Sequence, residues 1–129
     1  MNKIILVSAS VFGLLAIILG AFASHGLKEL ISAESLQTFE TGVRYQMYHA
    51  IVLLFIGITT HFNKRTKQLL YYLIVIGILF FSGSIYGLAT NDLSDFDFRN
   101  IGLITPIGGF LLIVSWGIML INFFKMKAD

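Results

Sequence analysis

The stretch Phe39–Ala50, FETGVRYQMYHA, carries Glu40, Arg44, Tyr45, Gln46, Tyr48 and His49 and then runs directly into the apolar segment IVLLFIGI. A carboxylate, a guanidinium, two phenols, an amide and an imidazole at helical spacing could bind an anion, move a proton or ligate a metal. Arg44 and Glu40 stand four residues apart and so share a helix face, which predicts a structural ion pair. Read the other way, the planar fork of Arg44 matches a lipid phosphate. His49 lies about one turn deeper, where a polar side chain needs a partner. A hydrogen bond to a carbonyl or hydroxyl of another helix satisfies it; proton transfer is the sharper reading. His49 with His25 and Glu40 would make a three-ligand metal set, but no HxxxH or ExxH spacing supports one.

No nucleophile–base pair is visible. Ser24 beside His25 is adjacency rather than a triad, and no G-x-S-x-G or Walker pattern occurs. Gly108-Gly109 follows no strand. The absence of cysteine excludes disulfides, thiolate metal sites and thiol nucleophiles. The expectation is a non-enzymatic protein with no catalytic residues, no cofactor and no metal.

These polar groups need elements to hold them, and the composition fixes the kind. Of 129 residues, 57% are hydrophobic and 12% charged, against about 25% charged in a soluble domain. That is too little charge for a water-facing surface, so the solvent for most of the chain is lipid. A net charge of +2 argues against nucleic-acid binding. Four apolar runs stand at 4–23, 45–61, 69–89 and 101–124, each near the roughly 20 residues that cross a hydrocarbon core. Lys3 and Ala21-Phe22-Ala23 imitate a signal peptide, but the first run exceeds the usual h-region of about 7–15 residues and is expected to stay as a helix. Ser32 is a candidate N-cap, and Leu36, Phe39, Val43 and Met47 follow at helical spacing. The segment 33–43 therefore reads as amphipathic and interfacial, joined at Gly42 to the second span. The prediction is an all-α fold: one domain, 1–129, forming an integral membrane bundle of four transmembrane helices.

Small residues mark packing faces. Ala9, Gly13, Ala16, Gly20 and Ala23 repeat at four and three, a seam along the first helix; Gly83 and Gly87 form a G-xxx-G pair; Gly109 sits near the start of the fourth helix. Six basic residues (Lys3, Lys64, Arg65, Lys67, Lys125, Lys127) fall on one side and three (Lys28, Arg44, Arg99) on the other. The bias predicts both termini in the cytoplasm of a cell membrane protein. With that sidedness, His25, Glu40, Arg44, Tyr45, Gln46, Tyr48, His49, Tyr86 and Thr105 all belong to the outer leaflet, and the inner halves of the helices read as nearly pure hydrocarbon. The tyrosines suit an aromatic belt; Trp116, deeper in its helix, suits one least.

At these residues the chain resembles the small membrane protein family catalogued as domain of unknown function 423. The resemblance rests on GAFASHGL at Gly20–Leu27, FETGVRYQMYHA at Phe39–Ala50, SGSIYGL at Ser82–Leu88 and ITPIGG at Ile104–Gly109, so it covers nearly the whole chain. The family more often reads GAFGAHGL in the first block; Ala23-Ser24 replaces Gly-Ala, and His25 still matches. The resemblance implies a four-helix integral membrane protein and brings no activity, substrate or cofactor with it. The functional expectation is a module that binds a membrane lipid, itself or another membrane protein through the outer polar cluster. The alternative is an accessory role in transport or redox chemistry, with His49 and Arg44 handling a proton, quinone or anion.

Overall fold

A computed structural model describes residues 1–128 of the chain; Asp129 lies outside them. Four long helices account for most of it: α1 (Asn2–His25), α2 (Ala33–Ile58), α3 (Lys64–Ala89) and α4 (Ile104–Phe124). Short 3-10 turns at Leu27–Glu29, Asn91–Leu93 and Phe98–Ile101 fill the connections, and no strand occurs among the described residues. The stretches Asn2–Glu29, Lys64–Ala89 and Phe98–Phe124 are long and apolar enough to cross a membrane. α2 matches them in length but carries Glu34, Glu40 and Arg44 in its first half.

Local chemistry sets the helix ends. Ser32 caps α2, its side chain accepting the Ser35 N–H at 3.1 Å. Asn63 caps α3 by accepting the Thr66 N–H at 2.8 Å. That cap starts α3 at Lys64, so the basic residues expected in a turn form the first turn of a helix instead. Pro106 sits in the first turn of α4, where a missing N–H breaks no intrahelical bond. Two boundaries differ from expectation around α2. The expected amphipathic segment is the first part of one unbroken helix that continues through Gly42. α2 also ends at Ile58, which leaves His61 exposed in the turn beyond it.

α1 packs on α2, α2 on α3, and α3 on α4. α1 and α4 each pack mainly on one neighbour, with α2 and α3 between them. α1 buries only Ile5, Ala9, Ala16 and Ala23, and α4 only Gly108, Leu112, Ser115 and Met119. Their remaining surface, including Leu14, Ile17, Ile113 and Leu120, is exposed hydrocarbon, which fits lipid and not water. One core cluster gathers around Ile5, Leu53, Ile56, Leu70, Ile74 and Ile78. A second, of Ala23, Leu27, Phe39 and Ala89, closes the end where α1 leads into α2.

Close backbone approach holds the pairs together, as it must where lipid tails remove the usual hydrophobic drive between helices. Ala9, Ala16 and Ala23 are buried. On the same seam, a Cβ added to Gly13 would lie 3.8 Å from Ala50 and one added to Gly20 would lie 3.5 Å from Val43. α2 therefore occupies the seam within one chain. The tightest approach is at Gly108, where a Cβ would come within 2.3 Å of the Phe81 backbone nitrogen. Its neighbour Gly109 makes only ordinary contact with the Phe81 ring, at 3.5 Å. The G-xxx-G pair of α3 packs no helix: Gly83 faces open space, and Gly87 lies under the ring of Phe98 from the following turn.

Candidate functional site

The register between helices gives each polar residue a depth. Gly13, the twelfth of the 24 residues of α1, faces Ala50. His49 therefore lies level with the middle of α1. Val43 faces Gly20, five residues before the end of α1, so Arg44, one residue further in, stands about 9 Å inside that end. The twelve-residue polar stretch thus spans half the thickness of the bundle, because a helix advances about 1.5 Å per residue.

Its buried members join helices. Tyr86 of α3 donates its hydroxyl to Gln46 Oε1 at 2.6 Å, and Gln46 Nε2 donates to the Phe12 carbonyl of α1 at 2.8 Å. This relay ties three helices through one buried amide. The Tyr86 ring reaches Gln46 by lying over Gly42, where a Cβ would come within 2.8 Å of it. Ser82 Oγ donates to the Gly42 carbonyl at 2.7 Å, a second α3–α2 bond. Ser84 bonds Thr105 between α3 and α4. No buried side-chain nitrogen or oxygen among the described residues lacks a partner, as hydrocarbon surroundings demand.

His49 is 6% exposed, and both ring nitrogens are engaged. Nδ1 pairs with the Tyr45 carbonyl one turn back at 2.7 Å. Nε2 accepts the indole N–H of Trp116 from α4 at 3.1 Å. An indole only donates, so Nε2 carries no proton and Nδ1 is the donor to Tyr45. The pair faces a cleft of about 460 Å³ between α2 and α4, lined by Tyr45, His49, Phe81, Gly109, Leu112, Ile113 and Trp116. Below Trp116 a second cleft of about 470 Å³, almost wholly apolar, continues between the same helices past Ile51, Phe55 and Leu120. Trp116, half exposed, is the partition between them.

Of the remaining predicted site residues, Tyr45 borders this centre, while Glu40, Arg44, Tyr48 and His25 do not line it. Glu40 and Arg44 form no ion pair; the only one among the described residues joins Arg99 and Asp97. Arg44 Nη2 donates to Thr41 Oγ1 at 3.0 Å, three residues back, and the guanidinium is exposed. Short Thr41 lies close enough to capture the fork without extending both long side chains toward each other. Tyr45 and Tyr48 are exposed beside it and stack edge to face at 5.6 Å. His25 is exposed at the end of α1, half a helix away from His49. No three His, Asp or Glu side chains gather as a metal site among the described residues. The half of the bundle that holds the first turns of α1 and α3 is also less purely hydrocarbon than expected: Ser8 bonds Tyr71 at 2.7 Å, and Lys67 donates to Asn2 at 3.1 Å.

Sequence reasoning passed over Trp116, Ser82, Ser84 and Phe12. Trp116 did carry a signal, as the lone tryptophan placed too deep for an interfacial belt. Ser82 and Ser84 are polar interruptions of an apolar helix, which in lipid always require an acceptor. The part played by Phe12 is a backbone carbonyl and leaves no trace in residue type.

Comparison with known proteins agrees with the membrane reading. The family described as "Protein of unknown function (DUF423)" matches residues 19–109. The UPF0382 membrane protein SSP2132 of Staphylococcus saprophyticus is 40% identical over 96% of this chain and 99% of its own length. The UPF0382 membrane protein of Haemophilus influenzae is 38% identical over 90% of both chains. The UPF0382 inner membrane protein YgdD of Escherichia coli is 29% identical over 98% of this chain and 93% of its own. No solved structure matches. An all-helical bundle with lipid-facing surfaces, matched along nearly its whole length by such relatives, is a membrane protein belonging to the DUF423 family.

Proposed function

We propose that the protein is a non-enzymatic lipid-binding module of the cell membrane. All four helices cross, both termini are cytoplasmic, and one phospholipid of the outer leaflet is held along the α2–α4 face. The observation that carries this reading is the cleft beside His49. Its lining is largely apolar, and both nitrogens of His49 and the Trp116 indole are already bonded within the protein. An acyl chain fits such a lining, whereas a polar solute would find only the Tyr45 hydroxyl as a partner there. Arg44 and Tyr45 stand on the exposed edge above the cleft, about 7.5 Å nearer the outer end than His49, and Arg44 faces no carboxylate. A phosphate at Arg44 would set its acyl chain past Tyr45 into the cleft. The printed name of the Escherichia coli relative, an inner membrane protein, supports the cell membrane as location.

Proton handling at His49 is disfavoured, since both nitrogens are occupied by groups that do not titrate. The test is the phospholipid retained by purified protein after exhaustive detergent washing, measured by mass spectrometry. Gly109→Leu fills the cleft from a position with ordinary clearance, and Arg44→Gln removes the phosphate partner. Each is expected to lower retained lipid without changing helix content. Retention equal to wild type in both variants, or none in wild type, refutes the reading.

A further inference from the structure

The opposite end of the bundle holds a second, unrelated arrangement. α1 and α3 both begin there. Between their first turns lies a pocket of about 490 Å³ lined by Met1, Asn2, Lys3, Phe62, Lys64 and Lys67. Three lysines line it and no carboxylate does. Six of the seven acidic residues belong to the other end of the helices or the connections there, and no described carboxylate pairs with any of these lysines.

Lys67 is the most telling of the three. Its side chain is 6% exposed, and its ammonium makes one hydrogen bond, to the neutral Oδ1 of Asn2 at 3.1 Å. Two of its three donors have no protein acceptor among the described residues, and no described carboxylate pairs with its charge. Buried charge is costly unless it is paired. The backbone adds to the imbalance. The first turns of α1 and α3 contain no acidic residue, although a helix N-terminus carries partial positive charge and favours anions. α3 instead places Lys64, Arg65 and Lys67 against its own dipole. The Asn63 cap takes up the Thr66 N–H, leaving the N–H groups of Lys64 and Arg65 with no intrahelical carbonyl. Lysines, backbone donors and two helix dipoles converge on one concavity, and nothing described there is negative.

We propose that this pocket is a phosphate-binding site, occupied by the headgroup phosphate of an anionic phospholipid or by free phosphate. Lys67 supplies the buried charge-assisted donor, and Lys3 and Lys64 flank the oxyanion from the water side. The site lies where lipid headgroups meet the first turns of spanning helices, and basic pockets between helices at that depth recognise anionic headgroups. It stands independently of the outer cleft, on different residues in the opposite leaflet.

The experiment uses full-length protein in zwitterionic detergent, carrying Arg44→Gln so that the outer arginine does not contribute. Native mass spectrometry follows retention of phosphatidylglycerol against phosphatidylcholine, and thermal unfolding follows added inorganic phosphate. Phosphatidylglycerol is expected to bind preferentially, and Lys67→Met to weaken it about fivefold or more. Lys67→Met keeps the chain length but could disturb folding. The exposed pair Lys3→Gln/Lys64→Gln is therefore the second variant, expected to weaken binding with unfolding unchanged. Phosphatidylglycerol that persists against millimolar phosphate identifies the lipid as occupant. Phosphate that displaces it and raises the unfolding temperature of the parent but not of the variants identifies free phosphate. The proposal is overturned if both lipids bind equally and phosphate has no effect, or if both variants bind phosphatidylglycerol like their parent.

Discussion

The indole N–H of Trp116 meets His49 Nε2 at 3.1 Å in the middle of the bundle, with the rings edge to face at 82°. α2 and α4 make no extensive backbone contact, so this bond and the ring contacts of Phe123 with Phe55 and Phe62 are what draw α4 toward α2. The cleft above Trp116 has its shape because of it.

A double-mutant cycle measures that bond. Trp116→Phe and His49→Leu each remove one partner, and unfolding in mixed micelles reads the loss. Coupling is expected near 0.6 kcal/mol and below about 1.7 kcal/mol, the range for hydrogen bonds between helices in lipid. Additive effects would mean that the two rings do not interact. Trp116 is the sole tryptophan, so His49→Leu should also shift the emission of the protein.

The Tyr86–Gln46–Phe12 relay makes a different claim, about non-additivity. Tyr86→Phe leaves Gln46 Oε1 without its donor in a buried site, which should cost about 1 kcal/mol or more. Gln46→Met removes both bonds of the amide; the Phe12 carbonyl keeps its helical partner, but the Tyr86 hydroxyl is stranded. The double variant strands nothing. Its loss should be clearly smaller than the sum of the two single losses, and a simple sum would show that the relay is not a unit.

Gly108 and Gly83 separate packing from helix propensity. Alanine at Gly108 would place a methyl 2.3 Å from the Phe81 nitrogen and 2.7 Å from the Phe80 carbonyl carbon. Both are backbone atoms that cannot swing aside, so α4 must move off α3, a destabilisation of about 1–3 kcal/mol or more. Alanine at Gly83 meets nothing within 4 Å. Gly83→Ala should be neutral or stabilising by up to about 1 kcal/mol, the helix preference for alanine. Equal thermal unfolding shifts for the two would contradict this packing.

Much of this was legible in the sequence, and the limits have physical causes. Apolar run length gave the helices, and the four-three spacing from Ala9 to Ala23 marked a face that does lie against α2. What spacing could not give was depth. The offset between α1 and α2 is set by which small residue meets which partner, so the level of His49 against the middle of α1 could not be read from spacing. Periodicity also could not choose among partners for one side chain. Arg44 bonds Thr41 rather than Glu40, and Gly83 fits the same sequence pattern as Gly13 yet packs against nothing.

The outer connection carries its own acid sensitivity. Asp97 accepts the Arg99 Nε–H and backbone N–H, each at 3.0 Å. The Arg99 side-chain bond, then the backbone bond, hold its carboxyl below the usual carboxylate range. A lowered folded-state pKa means that the contribution is full above the unfolded value and is lost as pH falls through the folded one. Amide exchange in residues 97–101 should therefore gain protection above the ordinary carboxylate range and lose it in acid. Asp97→Asn should flatten that dependence. Arg99 is largely exposed and Asp97 partly so, so salt should weaken the effect, and global unfolding should barely change.

Sidedness is the last outcome to check, because both lipid proposals depend on it. Lys3, Lys64, Arg65 and Lys67 stand in the first turns of α1 and α3, and Lys125 and Lys127 follow α4 at the same end. The other end has Lys28, Arg44 and Arg99, of which Arg99 is paired with Asp97. Basic residues near helix ends are retained on the cytoplasmic side, and acidic residues weigh little in that choice. A reporter active only in the cytoplasm should therefore work when fused after the last residue, and a phosphatase active only outside should be silent there. The same phosphatase inserted after Asp95, in the connection between α3 and α4, should be active. The reverse pattern would put the three-lysine pocket in the outer leaflet and Arg44 in the inner one, and both assignments of lipid to leaflet would have to be exchanged.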